Sequence, residues 1–261
     1  MLMHPLTRLA AVTIVAAAAA FTAASPATAA NSGSASISPK TGGSTTVGAP
    51  VTIKLKATLP DTPSDTTGKT RVMAVQVKLP LPLVFNSIPF SQCNTAQFVT
   101  SKTCPSSTRL ATATILADGG PGVGIIPAAA TMWFGEGFQV LTSIKTERPA
   151  ILDETSIGTL RSSGTPGFGL ELYIPIPAAL QEPLQDLYPT VRSIVATVTP
   201  PKKRIRIGDE SVVLPLTGLG PCPASRKLPF QINALYTDAP GGAITKIDSV
   251  LAVANCKAAR R

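Results

Sequence analysis

The sequence predicts an all-β fold: an antiparallel β-sandwich, Ig-like or jelly-roll-like, of about ten strands. Three observations predict it. Apolar and polar residues alternate with period two in segment after segment, as in Val51, Ile53, Leu55, Ala57 and Leu59, which is the pattern of a sheet with one face in a core. The chain carries 25 Pro and 20 Gly, and both break helices, so long helices are not expected beyond the N-terminus. Strand and turn signals also recur at short spacing without alternating helical segments, which favours a sandwich or barrel over a parallel α/β fold.

The elements follow in order. Met1 to Pro5 with Arg8 make a basic start, Leu9 to Ala24 an apolar run, and Ala27-Thr28-Ala29 a small-residue processing site. This is the pattern of a secretory signal peptide, residues 1–30. Residues 31–48 are rich in Ser, Gly and Thr and read as a flexible leader. Residues 49–261 read as one β domain, with the possibility of two related halves kept open. Within it, Pro60 to Gly68 is a polar turn and Val72 to Leu79 a strand. Pro80, Pro82 and Pro89 make Leu81 to Phe90 an edge or crossing segment. Leu110 to Ala117 is a strand ending in the turn Asp118-Gly119-Gly120-Pro121-Gly122. Ala130 to Phe134 and Phe138 to Thr146 pair through Gly135-Glu136-Gly137, and Gly169 to Ile176 is a further strand. Pro177 to Tyr188 is the one helical candidate, with Leu180, Leu184 and Leu187 on one face, limited to a turn or two by Pro183. Val191 to Thr199, Lys203 to Ile207, Val212 to Leu216, Leu228 to Thr237 and Ala243 to Val253 complete the strands.

Four cysteines, Cys93, Cys104, Cys222 and Cys256, are an even count in a chain expected to be exported, which argues for two disulfides. Three pairings are open. Cys93–Cys104 and Cys222–Cys256 are preferred, because each closes a local stretch flanked by strands. Metal ligation is disfavoured, since the spacings lack C-x2-C and no histidine accompanies them. Cys104-Pro-Ser-Ser-Thr-Arg-Leu110 also echoes Cys222-Pro-Ala-Ser-Arg-Lys-Leu228. The echo reads either as a duplicated half or as one good strand entry used twice.

The Ala-rich leader, the Leu79-Pro80 strand end, the cysteine-closed loop and the Cys-Pro-x-Ser step into Ala111-Thr-Ala-Thr114 resemble uncharacterised secreted β-sandwich proteins of high-GC Gram-positive bacteria. The resemblance spans about residues 45–256. It implies a secreted β-sandwich and no catalytic residue.

The chemistry is bounded by what is missing. His4 is the only histidine, and cleavage of the signal peptide removes it. Ser-His-acid and Cys-His systems are then excluded, as are histidine-ligated metals. S-x-x-K, G-x-S-x-G and Walker A motifs are not found after residue 30. The Gly-rich Gly120 to Gly124 lies between strands, with no helix to receive a phosphate. No cofactor is expected, and the chain reads as non-enzymatic.

Two candidate sites remain. Trp133 and Glu136 are a candidate sugar contact, since an aromatic beside an acid is a sugar-binding arrangement; the alternative is a sheet edge with a buried aromatic. A paired-carboxylate glycoside hydrolase also remains open, because it needs only two acids across a cleft and no histidine. Lys202, Lys203, Arg204 and Arg206 form the densest run of charge. They are candidate anion ligands for envelope polymers or lipid headgroups; the alternative is that they keep an edge strand from pairing with other molecules. Loss of residues 1–30 leaves 22 Lys and Arg against 14 Asp and Glu, a net charge of +8. Nucleic acid is not expected, because aromatics are not interleaved with the basic run. No transmembrane anchor is expected, since no stretch after residue 30 reaches the ~20 apolar residues a spanning helix needs.

The expectation is therefore a secreted protein, free or held non-covalently at the cell envelope, that acts by surface contact. The alternatives are a carbohydrate-active protein and a carrier of an apolar ligand.

Overall fold

Period-two patterning dictates what the chain does almost throughout. In the computed structural model, which describes residues 31–45, 47–59, 70–207 and 209–258, every named strand pair is antiparallel. The expected signal peptide and the turn at Pro60 to Gly68 lie outside the described residues.

The N-terminal third contributes β1 (Ser32–Ser38), β2 (Ala49–Pro50), β3 (Thr52–Thr58), β4 (Arg71–Pro80) and β5 (Leu83–Phe85). The helix α1 (Thr95–Ser101) follows, then β6 (Arg109–Asp118), β7 (Ile125–Phe134), β8 (Gln139–Thr146), β9 (Leu152–Ser162) and β10 (Phe168–Pro175). One helical turn, α2 (Ala178–Gln181), precedes β11 (Thr190–Val198), β12 (Lys202–Ile207), β13 (Glu210–Pro215), β14 (Thr217–Leu219), β15 (Lys227–Thr237) and β16 (Lys246–Asn255).

Eleven of these strands form one sheet in the order β1-β3-β11-β6-β7-β8-β9-β10-β4-β15-β16. The sheet rolls until its ends meet. At the seam, a Cβ on Gly33 would lie 2.9 Å from the Leu251 carbonyl and 2.5 Å from a Val250 methyl, so only glycine allows the approach. Asn31 donates to the Ser249 carbonyl at 3.0 Å, and the Lys257 N–H donates to the Lys40 carbonyl at 2.8 Å. The all-β antiparallel expectation is therefore met by a nearly barrel-shaped sheet, whose two halves face each other across a shared interior as the layers of a sandwich do.

The largest core cluster joins β3 and β11 to β4, β15 and β16 through Ile53, Ile194, Val75, Phe230, Ile232 and Val250, all buried. The small sheet β2-β14-β5 plugs one end of the roll with Leu83 and Leu219, both part of the main core. Both expected disulfides are present, Cys93–Cys104 and Cys222–Cys256, with Cα–Cα separations of 5.8 and 5.9 Å.

Two expectations are corrected. The segment read as a flexible leader, 31–48, contains β1, which pairs with all of β3 from Ser32↔Thr58 to Ser38↔Thr52. β9 was not expected at all. Its central inward positions are Glu154, Ser156 and Gly158, with large apolar residues only towards the ends at Leu152 and Leu160, and a Cβ on Gly158 would sit 2.7 Å from the Tyr173 carbonyl. The helix expected over Pro177 to Tyr188, limited to a turn or two, is the single turn α2: Pro183 cannot donate into a continuing ladder. The two Cys-Pro-x-Ser segments open β6 and β15 through the same turn, Thr108 N–H to Pro105 O and Arg226 N–H to Pro223 O, at 3.0 and 2.8 Å. Their cysteines bond in opposite directions along the chain, backward to Cys93 and forward to Cys256.

Candidate functional site

Trp133 and Glu136 do not form a sugar-stacking surface. Trp133 is on the outer side of β7 but only 7% exposed, because α1 covers it. The Phe98 ring stands 5.6 Å from the indole, and Cys93, Phe98, Trp133 and Leu141 make a small core outside the roll. Glu136 accepts from Asn94 Nδ2 at 3.1 Å, and Asn94 caps α1 by accepting from the Gln97 N–H at 2.9 Å. The acid thus serves the helix cap, and the aromatic face is occupied by Phe98.

Other acids are held by cations. Glu171, on the outer face of β10, accepts from Arg161 at 2.6 and 3.0 Å and is nearly buried. Burial alone would raise its pKa. Hydrogen bonds from Arg161 and Gln76, with the charges of Arg161 and Lys78, outweigh burial and hold it below the usual carboxylate value. A carboxyl whose pKa is lowered by folding contributes stability above its unfolded pKa and loses it as pH falls through the folded one. Glu171→Gln is expected to cost roughly 1.5–3 kcal/mol near neutral pH, the range for hydrogen bonds to a charged group. The gap between variant and wild type should close below about pH 4. Thermal melts of both proteins across that window check it, and a gap independent of pH would refute it.

At the end of the roll opposite the plug, α2 and the chain up to Pro189 form a strap. Arg71 Nη1 pairs with Glu182 Oε2 at 3.3 Å, the Tyr188 hydroxyl donates to Glu182 Oε1 at 3.2 Å, and the Arg71 guanidinium lies 4.5 Å above the Tyr188 ring. Burial and the Glu182 charge push the Tyr188 hydroxyl above its ordinary value.

The basic run is the exposed site that survives. β12 pairs with β13 as a separate two-stranded hairpin. Strand alternation puts Lys202, Arg204 and Arg206 on one face, and all three are exposed. Successive cations on that face are about 6.8 Å apart, two residues of antiparallel strand. Lys203 is on the other face, where Nζ donates to the Pro89 carbonyl at 3.1 Å. Arg206 has only a loose, exposed pair with Asp209 at 3.8 Å, which does little to neutralise it.

At the foot of the hairpin is a groove of about 370 Å³ lined by Lys202, Arg109, Ser106, Thr112, Thr197 and Thr199. Arg109 was not singled out from sequence; it lies far along the chain, and only the pairing of β11 with β6 brings it here. Two cations and four hydroxyls can hold an oxyanion by charge and hydrogen bonds together.

The interior of the roll is of opposite character. Two adjoining apolar cavities of about 90 and 60 Å³ share Val75, Ile115, Ile144 and Ile176 as walls. The second ends against Leu180 and Pro183 of the strap.

Among the described residues, no group of three or more His, Cys, Asp or Glu is placed to hold a metal ion, and no helix is long and apolar enough to cross a membrane. Comparison of the chain with protein-family models, with curated proteins and with solved structures returned no match.

Proposed function

We propose that this is an exported, non-enzymatic protein that acts by surface contact, holding an anionic polymer of the cell envelope along the β12–β13 hairpin. The observation that carries the reading is the exposed row of Lys202, Arg204 and Arg206 running into the groove of Arg109 and its hydroxyl neighbours. An extended polyanion presents charge at regular intervals, and a strand presents cations at a fixed ~6.8 Å repeat. The leader sequence, the paired cysteines and the +8 balance after residue 30 support export and attraction to an anionic envelope.

Charge neutralisation tests it. Lys202→Gln, Arg204→Gln and Arg206→Gln together should lower retention on immobilised polyphosphate roughly tenfold, taking about 0.5 kcal/mol for each exposed charge contact. Added salt should weaken wild-type retention, since exposed contacts are screened. Lys40→Gln, Lys227→Gln and Lys257→Gln remove the same charge from exposed positions elsewhere and should leave most of the retention. Equal losses in both triple variants would reduce the effect to net charge. Binding to phosphatidylglycerol vesicles without binding to polyphosphate would assign the row to lipid. Self-association of the hairpin variant with unchanged retention would assign it to edge protection.

A further inference from the structure

The interior wall contains a polar atom without a partner. Thr142, on β8, is 1% exposed, and its Oγ1 has no hydrogen-bond partner among the described residues. It lines the larger apolar cavity. Buried hydroxyls in folded proteins are nearly always bonded, and valine would fill the same space without leaving a bond unmade. The surrounding wall is also built small. Ala111, Ala113, Ala130 and Ala196 face this cavity, and Ala117 and Ala128 face its neighbour, where larger apolar residues would close the space.

We infer that the roll binds a small apolar molecule bearing one hydrogen-bonding group, with the apolar part in the alanine-lined space and the polar group on Thr142 Oγ1. The two cavities together approach the ~150 Å³ that takes up benzene in an engineered apolar cavity, which sets the size of the ligand near a single ring. The site is independent of the basic hairpin. The outer cavity, bounded by Leu180 and Pro183, puts the strap on the path of entry.

Phenol and toluene are near-isosteric probes that differ in the hydroxyl, as Thr142 and its valine variant differ. Titration calorimetry of the intact protein with each probe is expected to show binding of both. Thr142→Val should reduce the phenol-to-toluene affinity ratio about fivefold, the worth of one hydrogen bond, with toluene affinity held or improved. Ala130→Leu, which fills the cavity, should abolish binding of both. Failure of wild type to bind either probe up to its solubility limit would overturn the inference. So would an unchanged ratio in Thr142→Val, or binding that persists in a folded Ala130→Leu. Thr142→Val decides the matter even if Ala130→Leu does not fold.

Discussion

Replacing Cys222 and Cys256 by alanine should be the more damaging of the two disulfide losses, costing about 4 kcal/mol. Replacing Cys93 and Cys104 should cost about 3 kcal/mol. The difference comes from loop length. A crosslink restricts the unfolded chain more when the loop it closes is longer, and the sequence separations are 34 and 11 residues. Position adds to it. Cys256 follows β16 at the seam of the roll, with its N–H on the Arg226 carbonyl at 3.0 Å and Lys257 bonded to Lys40 just beyond. Without that staple, β16 has one continuous partner, β15, and the seam loses its clamp. The Cys93–Cys104 bond holds a loop on the outer surface, where release leaves the eleven-stranded sheet paired. Denaturant midpoints of the two double-alanine variants, compared with wild type under oxidising conditions, measure this. A smaller loss for the Cys222/Cys256 variant would refute it.

What the sequence made legible follows from where large apolar residues were needed. β3, β4, β15 and β16 alternate strongly because their inward positions fill the main core, as with Ile53, Leu55, Ile232 and Val250. β1 and β9 were illegible for the opposite reason. At the seam the backbones approach too closely for anything larger than Gly33, so a real strand carries the composition of a linker. On β9, inward Ser156 donates to the Pro175 carbonyl at 2.6 Å, replacing an apolar contact with a hydrogen bond that no periodicity reveals. α1 was missed because its seven residues lack a helical apolar stripe; only Asn94 as a cap and Phe98 as an anchor mark it. The cations of β12 were readable because they are contiguous. Arg109 and Thr142 were not, since a groove across β6 and β11 and an orphan hydroxyl in a cavity wall exist only after pairing and packing.

Phe98→Ala should remove about 3–5 kcal/mol of packing, the range for a fully buried phenylalanine, yet most of that loss should be local. A seven-residue helix is not stable by itself. α1 depends on Asn94 at its start, on the left-handed Lys102 at its end, and on Phe98, 0% exposed, over Trp133 and Leu141. Lys102 Nζ also donates to the Asp153 carbonyl, tethering the helix to β9. When the lost packing exceeds what docks the segment, it is cheaper for residues 94–103 to lift from the sheet than for the sheet to unfold. The disulfide then keeps the loop closed while the indole beneath is wetted. Trp133 is the sole tryptophan, so its emission should move to the red and become accessible to iodide, while the sheet's circular dichroism is retained. Phe230→Ala removes an equally buried ring from the inner face of β15. It should lower the global unfolding midpoint with Trp133 unchanged in the native state. A Phe98→Ala protein whose Trp133 emission stays at the wild-type position would mean that α1 does not owe its docking to this ring.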